Sequence, residues 1–282
     1  MRTADRVIVD SIREKLANRR SFLTRMGMAS AGLGAFLMTV DSAKAAVTDI
    51  DILNFALNLE YLEAEFYTVA CTGMTIDQMG VGITGSGTPG ATTGGKQVTF
   101  IAGSTLANSA TEIGGDERAH VNLLRSALTA AGPGPIAKPA INLNALGVGF
   151  GSQEEFIALA RAFEDVGVTA YAGAAPLIQN PSYLGTAARI LAAEAEHVGN
   201  LRLHAALYNV ATTALDAVDI LPPPSGTQFI SVDSNGLAAV RTPGQVLYIV
   251  FGGQANATSG GFFPSGVNGN LNSSSAAATA TQ

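Results

Sequence analysis

Four long segments of the sequence carry apolar residues at helical spacing, and in each of them a glutamate interrupts the apolar stripe. The segments cover residues 49 to about 70, 104 to 131, 153 to 178, and 181 to 209. Residues three or four apart share one face of a helix, so each stripe is the face that packs inward. An ionised carboxylate is costly to bury without a partner. The pattern predicts a four-helix bundle with acidic groups inside that need a positive partner.

The inward stripes contain carboxylates and imidazoles that are candidate metal ligands. The candidates are Glu60, Glu117, His120, Glu164, Glu194 and His197. Two of the three histidines follow a glutamate by three residues, in the sequences Glu-Arg-Ala-His and Glu-Ala-Glu-His, and this spacing puts both side chains on one helix face. Glu63 lies on the same stripe as Glu60 and is an alternative ligand. Glu65 and Asn58 fall on the opposite side, where we expect Glu65 to be solvated, and His204 is expected in a core or helix-end role.

The order of these residues repeats in the two halves of the chain. Glu60 and Glu164 are each followed by a tyrosine seven residues later, Tyr67 and Tyr171, and each half then continues with Glu-x-x-His. This repeat resembles the ferritin-like di-iron and di-manganese carboxylate proteins, over residues 49 to 209. The stretches LNFALNLEYLEAEFY, RTPGQVLYIVFGG and GGFFPSGVNG are similar to those of the bacterial and plant desiccation-related ferritin-like proteins.

The resemblance implies an all-α ferritin-like bundle with one long crossover and a centre of two iron or manganese ions. It makes Glu60 and Glu164 terminal or bridging ligands, Glu117 and Glu194 bridging ligands, and His120 and His197 neutral nitrogen ligands. Mixed oxygen and nitrogen donors suit both metals. Glu60 is favoured over Glu63 because its distance to Tyr67 recurs in the second half. Tyr67 and Tyr171 either pack in the core or hydrogen-bond to a ligand, and the sequence leaves both interpretations open.

The first 45 residues read as an export signal. Arg19 and Arg20 directly precede Ser-Phe-Leu, and residues 26 to 40 are uncharged. These fifteen residues would span roughly 22 Å as a helix, against about 30 Å of bilayer hydrocarbon, so they are too short for a stable anchor. Ala43 and Ala45 form an A-x-A pattern. The segment looks like a twin-arginine signal cleaved after Ala45, with a mature protein in the periplasm or outside the cell.

Charge and cysteine content restrict the partners. Residues 1 to 45 hold eight of the sixteen basic residues and four of the 22 acidic ones, which leaves 8 basic and 18 acidic residues, a net charge of −10, in the remainder. Such a body repels phosphate backbones and anionic lipids and attracts cations, so we expect no nucleic-acid partner. The single cysteine, Cys71, excludes an intramolecular disulfide and the four-thiolate iron site of a rubrerythrin-like electron relay.

The remaining segments are predicted as connections and appendages of the bundle, which itself is assigned to residues 46 to 210. Residues 73 to 103 are a Gly/Thr-rich insertion, and residues 132 to 151 form the long crossover. Residues 211 to 267 are expected to pack on the bundle as a mostly irregular extension. Within it, Thr242 and Pro243 match a helix start, although the following residues would also suit a strand. The tail, residues 268 to 282, is expected to be disordered.

Two functions fit these observations. The first is a metal-dependent oxidoreductase that acts on oxygen, peroxide or ferrous iron. The second is a stress-related or desiccation-related structural or binding protein that keeps the bundle without catalysis. Metal ions and small oxidants are the expected partners of the first, and the sequence permits a homo-oligomer in either case. Iron storage in a closed shell lacks support because the insertion and the extension would have to fit between packed subunits.

Overall fold

A computed structural model describes residues 47 to 279, and the export-signal prediction therefore lies outside the described residues. Within this range the protein is an all-α bundle of four long helices with a fifth, short helix after it, as the sequence predicts. The helices are α1 (Asp49–Thr72), α2 (Thr105–Ala130), α3 (Gln153–Ala174), α4 (Pro181–Leu207) and α5 (Pro243–Val250). Among the described residues, no helix is both long enough and apolar enough to span a membrane.

Local sequence signals account for the helix ends. The Thr48 side chain accepts a hydrogen bond from the Asp51 amide while the Asp51 carboxylate accepts one from the Thr48 amide, which is a capping box. Gly73 ends α1 with a φ of 75°, a conformation that glycine adopts without strain. A 3₁₀ turn follows α3, and Asn180 then caps α4 with Pro181 as its first residue. These signals end α3 and begin α4 within a few residues, so a short connection joins the two helices.

The four helices pack as two close pairs, α1 with α2 and α3 with α4, which are joined across a shared core. Phe66 of α1 is fully buried and its ring lies 5.1 to 5.3 Å from four other aromatic rings, including Phe156 and Phe163 of α3. Burying one such side chain contributes roughly 1.5–3 kcal/mol. This aromatic cluster ties the two pairs together at one level of the bundle.

The insertion and the crossover form a layer that covers α1. Two short strands, β1 (Thr92–Thr93) in the insertion and β2 (Ile141–Asn142) in the crossover, pair in parallel with Thr92 opposite Ile141. Lys138 of the crossover is buried and its Nζ lies 3.2 Å from Glu65 Oε1. Glu65 also accepts hydrogen bonds from Thr92 Oγ1 and the Ile76 amide. The prediction of a solvated Glu65 is therefore wrong, because loops cover the face of α1 that points away from the bundle.

The C-terminal extension is attached to α3 and α4 through a buried group that we call the arginine cluster. Its members are Arg161, Arg202, Arg241, Asp165, Asp216 and Asp219, all nearly inaccessible to solvent. Arg161 of α3 pairs with Asp219 at 2.9 Å, and Arg202 of α4 donates to the backbone carbonyls of residues 220, 228 and 229. The arginine cluster thus fixes an otherwise irregular segment with charge-assisted hydrogen bonds.

The end of the extension also packs on the bundle. Thr242 caps α5 in a second capping box, so the helical alternative for this segment is the correct one. Asn58 of α1 and Asn268 exchange hydrogen bonds, and the buried Ser274 bonds to the backbone of Gln254 and Ala257. The expectation of disorder is therefore wrong for residues 268 to 279, since a composition rich in Asn and Ser here supplies side chains that bond to exposed backbone groups. Residues 280 to 282 lie outside the described range.

Candidate metal centre

The structure brings the six candidate ligands of the four helices together in the middle of the bundle. They form two groups that could each hold a metal ion, and within each group the ligand atoms lie within 4.8 Å of one another. The first group is Glu60, Glu117, His120 and Glu194, and the second is Glu117, Glu164, Glu194 and His197. Glu117 and Glu194 belong to both groups. Each group therefore has one carboxylate and one imidazole of its own and shares two carboxylates with the other.

Both imidazoles turn Nδ1 towards the carboxylates. His120 Nδ1 lies 3.3 Å from Glu60 Oε2, 3.4 Å from Glu117 Oε2 and 3.5 Å from Glu194 Oε1. His197 Nδ1 lies 3.1 Å from Glu117 Oε1 and 3.2 Å from Glu164 Oε2. The two rings are 6.2 Å apart between their centroids. Every helix of the bundle thus contributes at least one of the donor atoms.

The donors fit a pair of cations better than they fit one another. Within residues 47 to 279, all four oxygens of the shared carboxylates are buried without a hydrogen-bond partner. The same holds for Glu60 Oε2, Glu164 Oε1 and His120 Nδ1. In the part of the chain that the structure describes, no lysine or arginine forms an ion pair with these glutamates. Buried polar atoms are rarely left unsatisfied, and a set of carboxylate oxygens with two imidazoles suits iron or manganese. These residues therefore fit the metals that the sequence resemblance implies.

Burial and mutual repulsion give the polypeptide alone a high proton affinity at this centre. Burial raises the pKa of Glu117 to about 7, and the Glu164 carboxylate contributes in the same direction. Burial likewise raises the pKa of Glu194 well above its usual value, and the charge of Glu117 is the next largest cause of the increase. Burial would lower the pKa of His197, but its contacts with Glu117 and Glu164 raise it to about 11. A metal must displace these protons, so metal binding at this centre depends on pH.

The two tyrosines lie beside the glutamate of the opposite half. The Tyr171 hydroxyl of α3 donates a hydrogen bond to Glu60 Oε1 on α1. Tyr67 of α1 is completely buried near Glu164 of α3, and burial followed by the Glu164 charge raises its pKa, yet its hydroxyl lacks hydrogen-bond geometry to any described group. The repeated Glu-x6-Tyr spacing thus produces a crossed arrangement. Tyr171 binds Glu60 Oε1, whereas Glu60 Oε2 has no hydrogen bond within the described residues.

Sequence reasoning missed Asp116, which contacts the second imidazole. Asp116 Oδ2 lies 3.2 Å from His197 Nε2, and its side chain is 52% exposed. A ligating histidine commonly donates its other ring N–H to a carboxylate, which fixes the tautomer and leaves the first nitrogen free to bind a metal. The available signal was an acidic residue directly before Glu117, but its partner lies on another helix and only the packing of α2 on α4 identifies it.

Two further candidates lie outside both ligand groups. Glu63 is buried beside the centre, and within the described residues it forms no hydrogen bond or ion pair. The structure thus places Glu60, and not the alternative Glu63, among the clustered donors. His204 binds the Asn200 carbonyl through Nδ1 at 3.0 Å and contacts Thr105 through Nε2. Its position in the last turn of α4 agrees with the expected core or helix-end role.

The fold and the clustered donors define a helical-bundle protein with a carboxylate and histidine site for metal. A model of the ferritin-like domain family matches residues 48–207, which is more than half of the chain. The chain belongs to this family. A search of the curated proteins gave no significant match. The matched range contains all four bundle helices and all six candidate ligands.

Proposed function

We propose that this protein is a di-metal oxidoreductase that binds two iron or manganese ions and acts on oxygen, peroxide or ferrous iron. The observation that carries the proposal is the sharing of Glu117 and Glu194 between two ligand groups. A carboxylate with two oxygens can bridge two cations, so shared carboxylates favour a pair of metals over a single ion. Iron or manganese held there supplies redox chemistry on small oxidants.

The side chains of the polypeptide have separate tasks in this proposal. His197 keeps a proton on Nε2 and donates it to Asp116, so its Nδ1 lone pair points into the ligand group. Tyr171 donates to one oxygen of Glu60 and orients the free oxygen towards the same group. All six ligands are at most 8% exposed, so the helices exclude bulk water from the donors. Exclusion of water strengthens every electrostatic contact at the centre.

We also propose that the protein is exported folded by the twin-arginine route and is cleaved after Ala45. Support comes from the order of Arg19-Arg20, the short uncharged stretch and the A-x-A pattern. Cleavage at that position leaves the capping box of α1 at Thr48 and Asp51 intact. Export of a folded chain allows the metals to be loaded before transport. The similarity of LNFALNLEYLEAEFY and GGFFPSGVNG to desiccation-related ferritin-like proteins supports a role in stress outside the cytoplasm.

Elemental analysis and oxidant consumption test the function. The purified mature protein should contain about two iron or manganese ions per chain, as a two-metal site requires. The double substitution Glu117→Ala, His197→Ala removes donors from both groups and should abolish this content, whereas Glu112→Ala, at an exposed position of α2, should leave it unchanged. Metal-loaded protein should consume oxygen or peroxide, or oxidise ferrous iron. A double variant that keeps two metals, or loaded protein that is inert towards all three, contradicts the proposal.

A further inference from the structure

A cavity of about 290 Å³ lies between α1, α3 and the C-terminal extension, and we call it the side chamber. Its inner walls are the buried side chains of Leu62, Phe163 and Phe262, and its outer edge includes the exposed Leu146 and Ala214. A water occupies about 30 Å³ in the liquid, so the volume suits an organic molecule of roughly ten non-hydrogen atoms. The walls are almost entirely apolar. The side chamber therefore favours a ligand with an apolar body.

One charged side chain interrupts these walls, and the polar side chains of Thr213 and Tyr248, which also line the side chamber, are less buried. Glu63 lines the side chamber, is 5% exposed, and within the described residues has no hydrogen bond or ion pair. A buried carboxyl group without a partner is costly, and every other glutamate of the bundle interior belongs to a metal-ligand group or, as Glu65 does, pairs with a lysine. Glu63 therefore needs a donor that residues 47 to 279 do not provide. A ligand with a donor group at its inner end would satisfy it.

The side chamber reaches the metal centre at Gly167 of α3. A Cβ atom at this position would lie 2.4 Å from Glu194 Oε2 and 3.3 Å from Glu63 Oε1. A larger residue here would displace the Glu194 carboxylate, so glycine lets this shared ligand lie directly against the α3 backbone. Gly167 also lines the side chamber, so the α3 backbone at this position borders both the Glu194 carboxylate and the side chamber. A ligand bound to Glu63 would lie next to the centre.

We propose that the side chamber binds a small apolar molecule that carries one terminal ammonium or hydroxyl group, with that group hydrogen-bonded to Glu63. The inference rests on the proposed function and deepens it, because it names the class of organic molecule that would bind beside the metal centre. Binding itself needs only the side chamber and Glu63. A second apolar cavity, of about 170 Å³ between the four helices, ends at Tyr171, whose hydroxyl is already bonded to Glu60. Among the described residues, no carboxylate lines this second cavity.

Calorimetric titration of the purified mature protein with three probes of equal size tests the inference. The probes are 2-phenylethylamine, 2-phenylethanol and propylbenzene, of which only the last lacks a donor. We expect at least one of the first two to bind about tenfold or more tighter than propylbenzene, because it gives a hydrogen-bond partner to a buried carboxyl group. The amine and the alcohol distinguish recognition of a cation from recognition of a hydroxyl.

Variants locate the binding. Glu63→Leu removes the hydrogen-bonding carboxyl group and should reduce the preferred probe to the affinity of propylbenzene, while Glu112→Leu, at an exposed glutamate, should not. Ala214→Trp at the exposed edge should weaken all probes about tenfold or more by filling the entrance, and Ala119→Trp on the exposed face of α2 serves as its control. Circular dichroism confirms that each variant is folded.

Three outcomes overturn the inference: no probe binds at millimolar concentration, propylbenzene binds as well as the others, or Glu63→Leu leaves the preference intact. None of these outcomes bears on metal content. A protein that contains two metals and consumes oxidant but binds no probe loses the side-chamber inference alone. A protein that binds the probes through Glu63 but contains no metal loses the proposed function and keeps the side chamber as a binding site.

Discussion

The arginine cluster and the metal centre both bury charged groups against α3, yet only the arginine cluster contains its own counter-ions. It combines three arginines with three aspartates, and each carboxylate lies 2.7 to 3.2 Å from a guanidinium nitrogen. The metal centre combines four glutamates with two histidines, and seven oxygen and nitrogen atoms of this set have no hydrogen-bond partner in the described part of the chain. The side chains of both regions are largely inaccessible to water, at most 4% exposed in the arginine cluster and at most 11% exposed in the metal centre.

This difference separates a structural use of buried charge from a functional one. A complete set of ion pairs holds two segments in register, and removing one partner leaves the other buried and uncompensated. An incomplete set is costly in the polypeptide alone and becomes favourable only when protons or metal ions complete it. The arginine cluster therefore secures the extension, whereas the centre is built for an added cation.

Substitution of an arginine should give the largest stability change. Arg202 is fully buried and bonds to Asp165 and to three backbone carbonyls. Arg202→Met should lower the free energy of unfolding by about 3–5 kcal/mol in urea denaturation, because it strands these acceptors. Arg189→Met, at an exposed position of the same helix, should change it little. If Arg202→Met costs under about 1 kcal/mol, the arginine cluster does not hold the extension.

Acidity should stabilise the metal-free protein. The pKa of Glu117 is about 7 in the folded chain against 4.5 for a free glutamate, so the folded state binds the proton more tightly. The stabilisation is complete below pH 4.5 and is lost as the pH rises through 7, on the order of 3 kcal/mol from about 1.4 kcal/mol per pKa unit. His197, whose pKa is also raised, acts in the same direction. Unfolding of chelator-treated protein across this pH range measures the effect, and Glu117→Gln should flatten it.

Bound metal should reverse this loss of stability with rising pH. A metal present at about a hundred times its dissociation constant should stabilise the folded protein by about 2.7 kcal/mol per site, because only the folded chain gathers the donors. Protons compete for the same oxygens, so this gain should grow between pH 5 and 7, roughly where Glu117 titrates. Thermal unfolding with and without ferrous or manganous ion measures it. An equal gain in Glu117→Ala, His197→Ala would place the bound metal elsewhere.

A smaller effect should come from Asp116. Asp116→Asn removes the charge that accepts the His197 Nε2 proton and should weaken metal affinity about 10–100-fold, as loss of a partner of a ligating histidine typically does. Glu112→Gln is the matched control, since it removes an exposed carboxylate from the same helix one turn earlier. Competition with a metal chelator measures the affinity. Equal losses in both variants would indicate a general electrostatic effect of the acidic surface instead.

Much of the bundle and its interior could be predicted because both depend on spacing along single helices. Predicted segments such as 49 to 70 and 181 to 209 agree with Asp49–Thr72 and Pro181–Leu207 to within two residues. The inward direction of Glu117 and His120 follows from their three-residue separation on one apolar face. Features that require two distant segments were not accessible in this way. Glu65 lies under a loop layer joined by Thr92 and Lys138, and no periodicity within α1 reports that cover.

The same limit applies to pairs across helices. No sequence pattern identifies Asp116 as a partner of His197, because the contact forms only when α2 packs on α4. The hydrogen bond between Asn58 and Asn268 joins residues 210 positions apart. The tyrosine repeat is an intermediate case. Its spacing singled out Tyr67 and Tyr171, but each tyrosine approaches the glutamate of the other half, a crossing that only the packing of α1 on α3 determines.

The crossed tyrosine contacts give the smallest predicted effect on metal-dependent stability, and they allow the two halves of the metal centre to be compared. Tyr171→Phe removes the hydrogen bond to Glu60 Oε1 and should cost about 0.5–1.5 kcal/mol of metal-dependent stabilisation, since Glu60 loses the contact that orients its free oxygen. Tyr67→Phe should cost less, because the Tyr67 hydroxyl has no hydrogen bond to lose among the residues that the structure describes. Metal titrations followed by thermal unfolding of the two variants measure the difference. A larger loss for Tyr67→Phe would mean that the Tyr67 hydroxyl forms a hydrogen bond to Glu164 when metal binds. The tyrosine contacts of the two halves would then be equivalent only in the metal-loaded protein.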